Sequence, residues 1–489
     1  MIARPVGLVM IVVAAMMVIT GVLELGFGLF GDDFEGRASQ TLPLFLAAPF
    51  SALFGGLSMR WARPVPEDLS LDRGEASVAV TAIWALLGVM GALPLIFGAG
   101  TTFIDALFES LSGFTTTGAT IYGDIEGTLT PPLVMWRAVM HWLGGMGVVV
   151  LFVAIFPNIG VSGKHMFRSE VPAVTAEGLR PRITETSMAL WQLYLGFTVF
   201  TVAGLWLLGM GPHDAVVHAL GTLSTGGFSS KDASIAAFAS PSIEWFLSVM
   251  MLVAGVNFGL YYSVLRVRRG SVLWRSAELR VYVGLVVMST LLLSLSLLDL
   301  NGGSMVDSLR VAFFRVATTI TSTGFGIDDH RAYPPLGIGI VIALMVVGGC
   351  AGSTAGGVKV ARIVILMQNA IAQVRRSVRP AVVRVVRVDG RPVDRSILLE
   401  VASFFFIYAG CLMLISLLVC ITDGAPMPAC FGATLSALSN MGPSPFYVDV
   451  DNYGGWSTTA KGLFCVAMVL GRLEFFTVLA VLLPEVWKR

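Results

Sequence analysis

Four times along the chain an apolar segment is followed by a short amphipathic run, a loop of hydroxyl residues and glycine, and a second apolar segment. The most regular loop is Thr321-Ser322-Thr323-Gly324-Phe325-Gly326. It is echoed by Thr115-Thr116-Thr117-Gly118-Ala119, Ser224-Thr225-Gly226-Gly227-Phe228 and, most degenerately, Ser439-Asn440-Met441-Gly442-Pro443. The amphipathic runs fall short of the roughly twenty residues that cross a bilayer core, so each unit predicts a full helix, a half-helix, a loop and a full helix. Irregular backbone at membrane depth persists only where protein buries it or it lines a watery cavity. Four such loops on one side of the membrane therefore predict a shared pore, in which glycine lets the backbone aim carbonyls at a dehydrated cation.

With 489 residues, 55% hydrophobic, 13% charged and a mean hydropathy of +0.81, the chain is a polytopic membrane protein. It carries no basic stripe interleaved with aromatics of the kind that binds nucleic acid. Cys350, Cys411, Cys420, Cys430 and Cys465 lack metal-ligand spacing and read as small buried hydrophobes. No Ser/His/Asp or Cys/His arrangement and no catalytic carboxylate pair in a soluble cleft is present, so the chain does not read as an enzyme. The apolar run that begins after Arg4 is too long for a signal-peptide core and reads as a retained membrane helix.

The expected architecture is an all-α membrane protein: an N-terminal two-helix hairpin, residues 1–75, followed by four pore repeats at 76–186, 187–275, 276–395 and 396–489. The repeats place full helices near 76–97, 132–156, 188–208, 243–265, 282–298, 397–421 and 462–483, with a return segment from about 335, and half-helices near 103–114, after 212, at 305–320 and at 429–438. With the hairpin segments 6–30 and 42–59 this makes ten spanning helices and four half-helices. Arginine and lysine collect between repeats, at Arg60, Arg63 and Arg73, at Lys164, Arg168, Arg180 and Arg182, at Arg266 to Arg280 and at Arg375 to Arg395. By the positive-inside rule both termini are cytoplasmic and the four loops face outward. Asp124, Glu126, Asp328, Asp329, Asp449 and Asp451 then offer an acidic outer vestibule.

The candidate ligands of a monovalent cation are carbonyls around Thr116, Thr117 and Gly118; Ser224, Thr225 and Gly226; Ser322, Thr323 and Gly324; and Asn440, Met441 and Gly442. No ring of carboxylates occupies these positions, which argues against a divalent cation. A second anomaly is the run from Gly348 to Gly357, with Gly348, Gly349, Gly352, Gly356 and Gly357 interrupting an apolar helix. It reads as a flexible gate beneath the loops, with GxxxG helix packing as the alternative; a phosphate-binding loop is excluded because the lysine comes one place late, at Lys359. The third is Arg472, mid-helix with Glu474 close by, where a permanent charge must face a pore or a carboxylate. Glu24 reads as snorkelling to the interface, Asp105 and Asp214 as half-helix caps, and His141 and Asn257 as packing residues; the sequence offers no account of Arg315.

The four loops, the glycine-broken helix, Gly471-Arg472-Leu473-Glu474 and Trp142-Leu143-Gly144-Gly145-Met146-Gly147 together resemble the TrkH branch of the Trk/Ktr/HKT superfamily of potassium transporters, over nearly the whole chain. The resemblance implies a potassium-selective, channel-like uptake protein of the bacterial inner membrane. It also implies a homodimer with one pore per subunit and a cytoplasmic ring of TrkA-type nucleotide-binding subunits. Gly118, Gly226, Gly324 and Gly442 become the filter glycines, 348–357 the gating loop and Arg472 the pore-facing arginine. K+ is the transported ion, with no further cofactor. A symporter coupling potassium to protons or sodium is the alternative, since broken helices at mid-membrane suit that mechanism too.

Overall fold

The structure, a computed structural model, describes residues 2–30, 34–62, 73–147, 183–268, 270–379, 386–446 and 452–487. Positions 148–156 of the expected first return helix, the basic residues Arg63, Lys164, Arg168, Arg180, Arg182, Arg269 and Arg384, the acidic Asp449 and Asp451, and both chain ends lie outside the described residues.

The N-terminal hairpin is formed by Ala3–Phe30 and Phe34–Trp61. Gly7 and Gly55 bring the two backbones so close that a Cβ on either would stand 2.6 Å from the other's carbonyl oxygen, an approach that small residues permit between helices in lipid. Glu24 does not snorkel. It is fully buried, ion-paired to Arg37 of the second helix and 3.0 Å from His213 at the start of the second half-helix. The alternative to such partners is a bare carboxylate in an apolar medium.

Each later quarter of the chain begins with a long outer helix: Arg73–Ala99, Ile183–Leu207, Ala277–Ser296 and Arg395–Asp423. With the hairpin, these are the six described helices long and apolar enough to cross a membrane. The half-helices follow at Phe103–Phe114, Pro212–Ser224, Met305–Ile320 and Met427–Leu438. Thr102 and Ser304 cap the first and third by accepting from the Asp105 and Asp307 amides. Asp105 stands in the first turn as expected, and its carboxylate accepts from the Thr102 hydroxyl at 2.9 Å and meets Lys461 of the last quarter at 2.5 Å. Asp214 likewise spends its carboxylate on the Ser230 hydroxyl, at 2.7 Å, and on His213.

The return helices are Pro131–Gly145, Pro241–Ala254, Pro335–Val347 and Thr458–Leu473. Three start on proline, whose missing N–H costs nothing in a first turn, and among the described residues none reaches spanning length. The expectation of unbroken return helices at 243–265 and 462–483 is thus corrected. The second bends by 83° across Gly255-Val256-Asn257 before resuming at Phe258, where the Asn257 side chain caps the new start by accepting from the Gly259 amide at 2.7 Å. The fourth stops at Glu474, held at φ 63°, before Phe475–Ala480. Among the described residues, a two-residue antiparallel ribbon, Arg387–Val388 with Arg391–Pro392, is the exception to all-α structure; Asp389-Gly390 is a hairpin-turn pair that the sequence reading passed over.

Every half-helix packs on the outer helix and return helix of its own quarter. The second, third and fourth also pack on the return helix of the quarter before, and the first packs on the return helix of the last. The packing thereby closes on itself.

Candidate ion-binding ring

Each half-helix ends in the same backbone motif. The amides of Thr117, Gly226, Thr323 and Met441 donate back to the carbonyls of Ser112, Gly221, Thr318 and Ser436 at 2.9, 2.9, 2.8 and 3.0 Å. The residue before each lies in the left-handed region: Thr116 at φ 54°, Thr225 at 55°, Ser322 at 54° and Asn440 at 52°. That is the Schellman helix stop, with a side chain where glycine is usual. A glycine at positive φ follows one residue later: Gly118 at 76°, Gly227 at 80°, Gly324 at 85° and Gly442 at 96°.

This repetition fixes the register and corrects one assignment. The counterpart of Gly118, Gly324 and Gly442 is Gly227, while Gly226 takes the place of Thr117, Thr323 and Met441, and Ser224 ends its half-helix. Two adjacent glycines after a Ser-Thr pair misled the sequence reading. The signal that resolves them is the aromatic that follows, since Gly227-Phe228 matches Gly324-Phe325.

The four glycines close a ring. A Cβ on Gly118 would strike the Gly226 carbonyl, one on Gly227 the Thr323 carbonyl, one on Gly324 the Met441 carbonyl and one on Gly442 the Thr117 carbonyl. The same main-chain oxygen of each loop thus lies against the glycine of its neighbour around all four seams. The C-terminal ends of the half-helices lead into this ring, and their dipoles make the site favourable for a cation.

A cavity of ≈ 420 Å³ opens on one side and is lined by all four ring glycines. Of the acidic residues expected to give it a negative field, the four that are described are already engaged. Asp124 accepts from the Gly127 amide at 2.7 Å, Glu126 meets Lys231 at 2.8 Å, Asp328 meets Arg315 at 2.6 Å and Asp329 meets Arg331 at 2.7 Å. Lys231 and Arg331 hold the exposed Glu126 and Asp329 carboxyls below their ordinary values through direct hydrogen bonds. The same pairing accounts for Arg315: its guanidinium bonds the carbonyl and carboxylate of Asp328 just beyond the third loop.

A second cavity of ≈ 100 Å³ is bounded by 352–357, Gly145, Lys359 and Arg472. The 348–357 run is a non-helical turn, with Gly348, Gly352 and Gly357 at φ 71°, 74° and 80°, so the helix-packing alternative for Gly348, Gly352 and Gly356 falls. It is tied on several sides. Gly255 accepts from the Cys350 amide at 2.9 Å, Glu278 accepts from the Ala351 and Ala361 amides at 2.6 and 3.1 Å, and Gly349 accepts from Val360 at 2.9 Å. A Cβ on Gly356 would strike the Ser439 carbonyl beside the fourth loop. Arg472 does not pair with Glu474, which instead meets Arg362 at 2.7 Å. It donates to the carbonyls of Thr354, Gly144 and Gly145 at 2.9, 2.6 and 2.9 Å, joining the turn to the negative end of the first return helix.

Residues 52–486 match the TrkH family, described as cation transport proteins. The Trk system potassium uptake protein TrkH of Escherichia coli (strain K12) is 36% identical over 494 residues, 100% of this chain and 99% of the relative. The chain belongs to the TrkH family. Another relative, the Trk system potassium uptake protein TrkG of the same organism, is 31% identical over 436 residues, 88% of each chain. The crystal structure of the potassium transporter TrkH from Vibrio parahaemolyticus superposes with a TM-score of 0.87 at 30% identity, covering 100% of this chain and 99% of that one. Against this TrkH fold, His141 and Asn257 keep the packing roles expected of them: His141 bonds the Gly113 carbonyl at 2.8 Å and accepts from the Phe228 amide at 3.2 Å.

Proposed function

We propose that this bacterial membrane protein takes up potassium through the ring of four loops, with the carbonyls around Thr116 to Gly118, Thr225 to Gly227, Ser322 to Gly324 and Asn440 to Gly442 standing in for the ion's hydration shell. The observation that carries this reading is the fourfold contact between each ring glycine and its neighbour's carbonyl. It is the arrangement a ring of oxygens around one axis requires. The same pattern supports a division into four repeats around a single pore after an N-terminal hairpin, and the names of the relatives supply potassium as the ion.

The glycine-rich turn and Arg472 lie on the side of the ring away from the wide cavity and act as its gate. The wide cavity faces outward, the termini and the basic helix end at Arg375 and Arg376 face the cytoplasm of the inner membrane, and that basic surface receives a TrkA-type nucleotide-binding partner on a homodimer. The experiment is ion flux in proteoliposomes with potassium, rubidium, sodium and lithium. Flux of potassium and rubidium with little sodium or lithium, at a reversal potential that follows the potassium gradient alone, is the expected result. Flux that discriminates none of these ions overturns the reading, and a reversal potential that moves with pH would replace the channel with a proton-coupled symporter.

A further inference from the structure

Resting on the reading of the ring as a selectivity filter, we propose that the buried pair Glu109 and Arg137 is a positioning device that sets the spacing between the first and second loops, and through it the discrimination of potassium from sodium.

Glu109 lies on the first half-helix and Arg137 on the first return helix, both fully buried. Arg137 lays Nε and Nη2 on Oε1 of Glu109 at 2.7 and 2.6 Å, a two-toothed contact that fixes orientation as well as distance. The carboxylate also accepts from the Thr120 hydroxyl and from the Ile121 amide, each at 3.0 Å. These residues follow Gly118 by two and three places. The guanidinium reaches the other way. Its carbon stands 3.9 Å from the centre of the Phe228 ring, and Phe228 directly follows Gly227. Phe228 in turn lies on His141, with ring centres 4.1 Å apart. One ion pair therefore grips both loops immediately beyond their ring glycines.

At the other seams the loops themselves are joined by neutral bonds, and ion pairs between neighbouring quarters there, Arg310 with Glu244 and Lys461 with Asp105, engage the first half of a half-helix and are partly exposed. The Gly326 carbonyl accepts from the Ile235 and Ala236 amides at 3.1 and 3.2 Å, His330 bonds the Ser444 carbonyl at 3.0 Å, and Asn440 donates to the Thr117 hydroxyl at 3.0 Å. Among the described residues, the seam between the first and second loops is where a buried ion pair does this joining. Such a pair is a poor source of stability compared with packed apolar side chains. It is stiff and directional, which is what a fixed carbonyl spacing requires when cavity size or ligand field decides between two monovalent ions.

The test compares wild type with Glu109→Gln/Arg137→Met, Arg137→Lys and Phe228→Leu in proteoliposomes, reading the sodium-to-potassium permeability ratio under bi-ionic conditions. The double variant is expected to raise that ratio by about tenfold while still passing potassium, and Arg137→Lys and Phe228→Leu to raise it less. If the pair were only a brace, fluxes of both ions would fall together at an unchanged ratio, which overturns the proposal. Should the double variant fail to fold, Phe228→Leu decides, since it leaves the ion pair in place and an unchanged ratio there overturns the proposal equally. A wild type that does not distinguish the two ions fails the filter reading itself; a selective wild type with unaltered variants fails this inference alone.

Discussion

The Gly356 amide donates to the Ser322 hydroxyl at 2.7 Å. Ser322 is the left-handed residue of the third loop and Gly356 belongs to the glycine-rich turn, so a hydrogen bond across 34 positions of sequence ties the ring to the turn. Replacing Ser322 by glycine removes the hydroxyl and keeps the backbone at φ 54° free of strain. Losing a bond worth about 1 kcal/mol is expected to raise basal potassium flux severalfold, about fivefold at most. Flux equal to wild type would show that the bond does not restrain the turn.

Gly118→Ser and Gly227→Ser are expected to behave alike. In both, a new side chain at positive φ must displace the carbonyl of the neighbouring loop, and a loss of about 1.4 kcal/mol of differential binding lowers potassium-over-sodium preference tenfold. Permeability ratios measured side by side check this; a normal ratio in Gly227→Ser would restore Gly226 as the functional glycine of the second loop.

On the proposed gate, Arg472→Ala and deletion of 352–355 each remove an obstruction beneath the ring. Both are expected to raise basal flux, because the first frees the Thr354, Gly144 and Gly145 carbonyls and the second shortens the turn itself. Unchanged flux in both variants, with normal thermal unfolding, would refute the gate.

Arg375, Arg376 and Arg379 end the helix Val360–Val378 on an exposed surface. Changing all three to glutamine is expected to weaken binding of the proposed TrkA-type partner in pull-down and to abolish the response of flux to nucleotide, with basal flux retained. Wild-type binding in that variant would assign these charges to anionic lipid instead.

Glu24→Ala leaves the Arg37 guanidinium without its buried carboxylate. Breaking such a pair costs about 3 kcal/mol, and a thermal unfolding midpoint lowered by several degrees is the expected reading. Adding Arg37→Leu is expected to recover part of the loss.

The long apolar helices and the half-helices with their glycine loops were legible in sequence because they are written in apolar length and in glycine, and both signals are local. Ser322, Thr323 and Gly324 could be placed from their neighbours alone. The breaks in the second and fourth return helices were not legible: Gly255 and Asn257 are a weak signal within an apolar run, and Glu474 at φ 63° depends on Arg362 from 112 residues away. Arg472 stood out in sequence as a charge within an apolar helix, yet it donates to three carbonyls, which leave no trace in residue type. Glu109 and Arg137 were indistinct for the same reason. A carboxylate and an arginine 28 positions apart become a pair only once two helices pack.

The ring is made by one chain, and its four left-handed positions hold Thr, Thr, Ser and Asn. In an assembly of four identical subunits every substitution is copied fourfold, so a change worth about 0.7 kcal/mol per copy becomes about 2.8 kcal/mol, or roughly a hundredfold in an equilibrium. Here the same change is made once and shifts that equilibrium only about threefold. Each quadrant can drift alone, which makes ion preference adjustable in small increments and lets Asn440 and Met441 persist opposite loops of quite different composition.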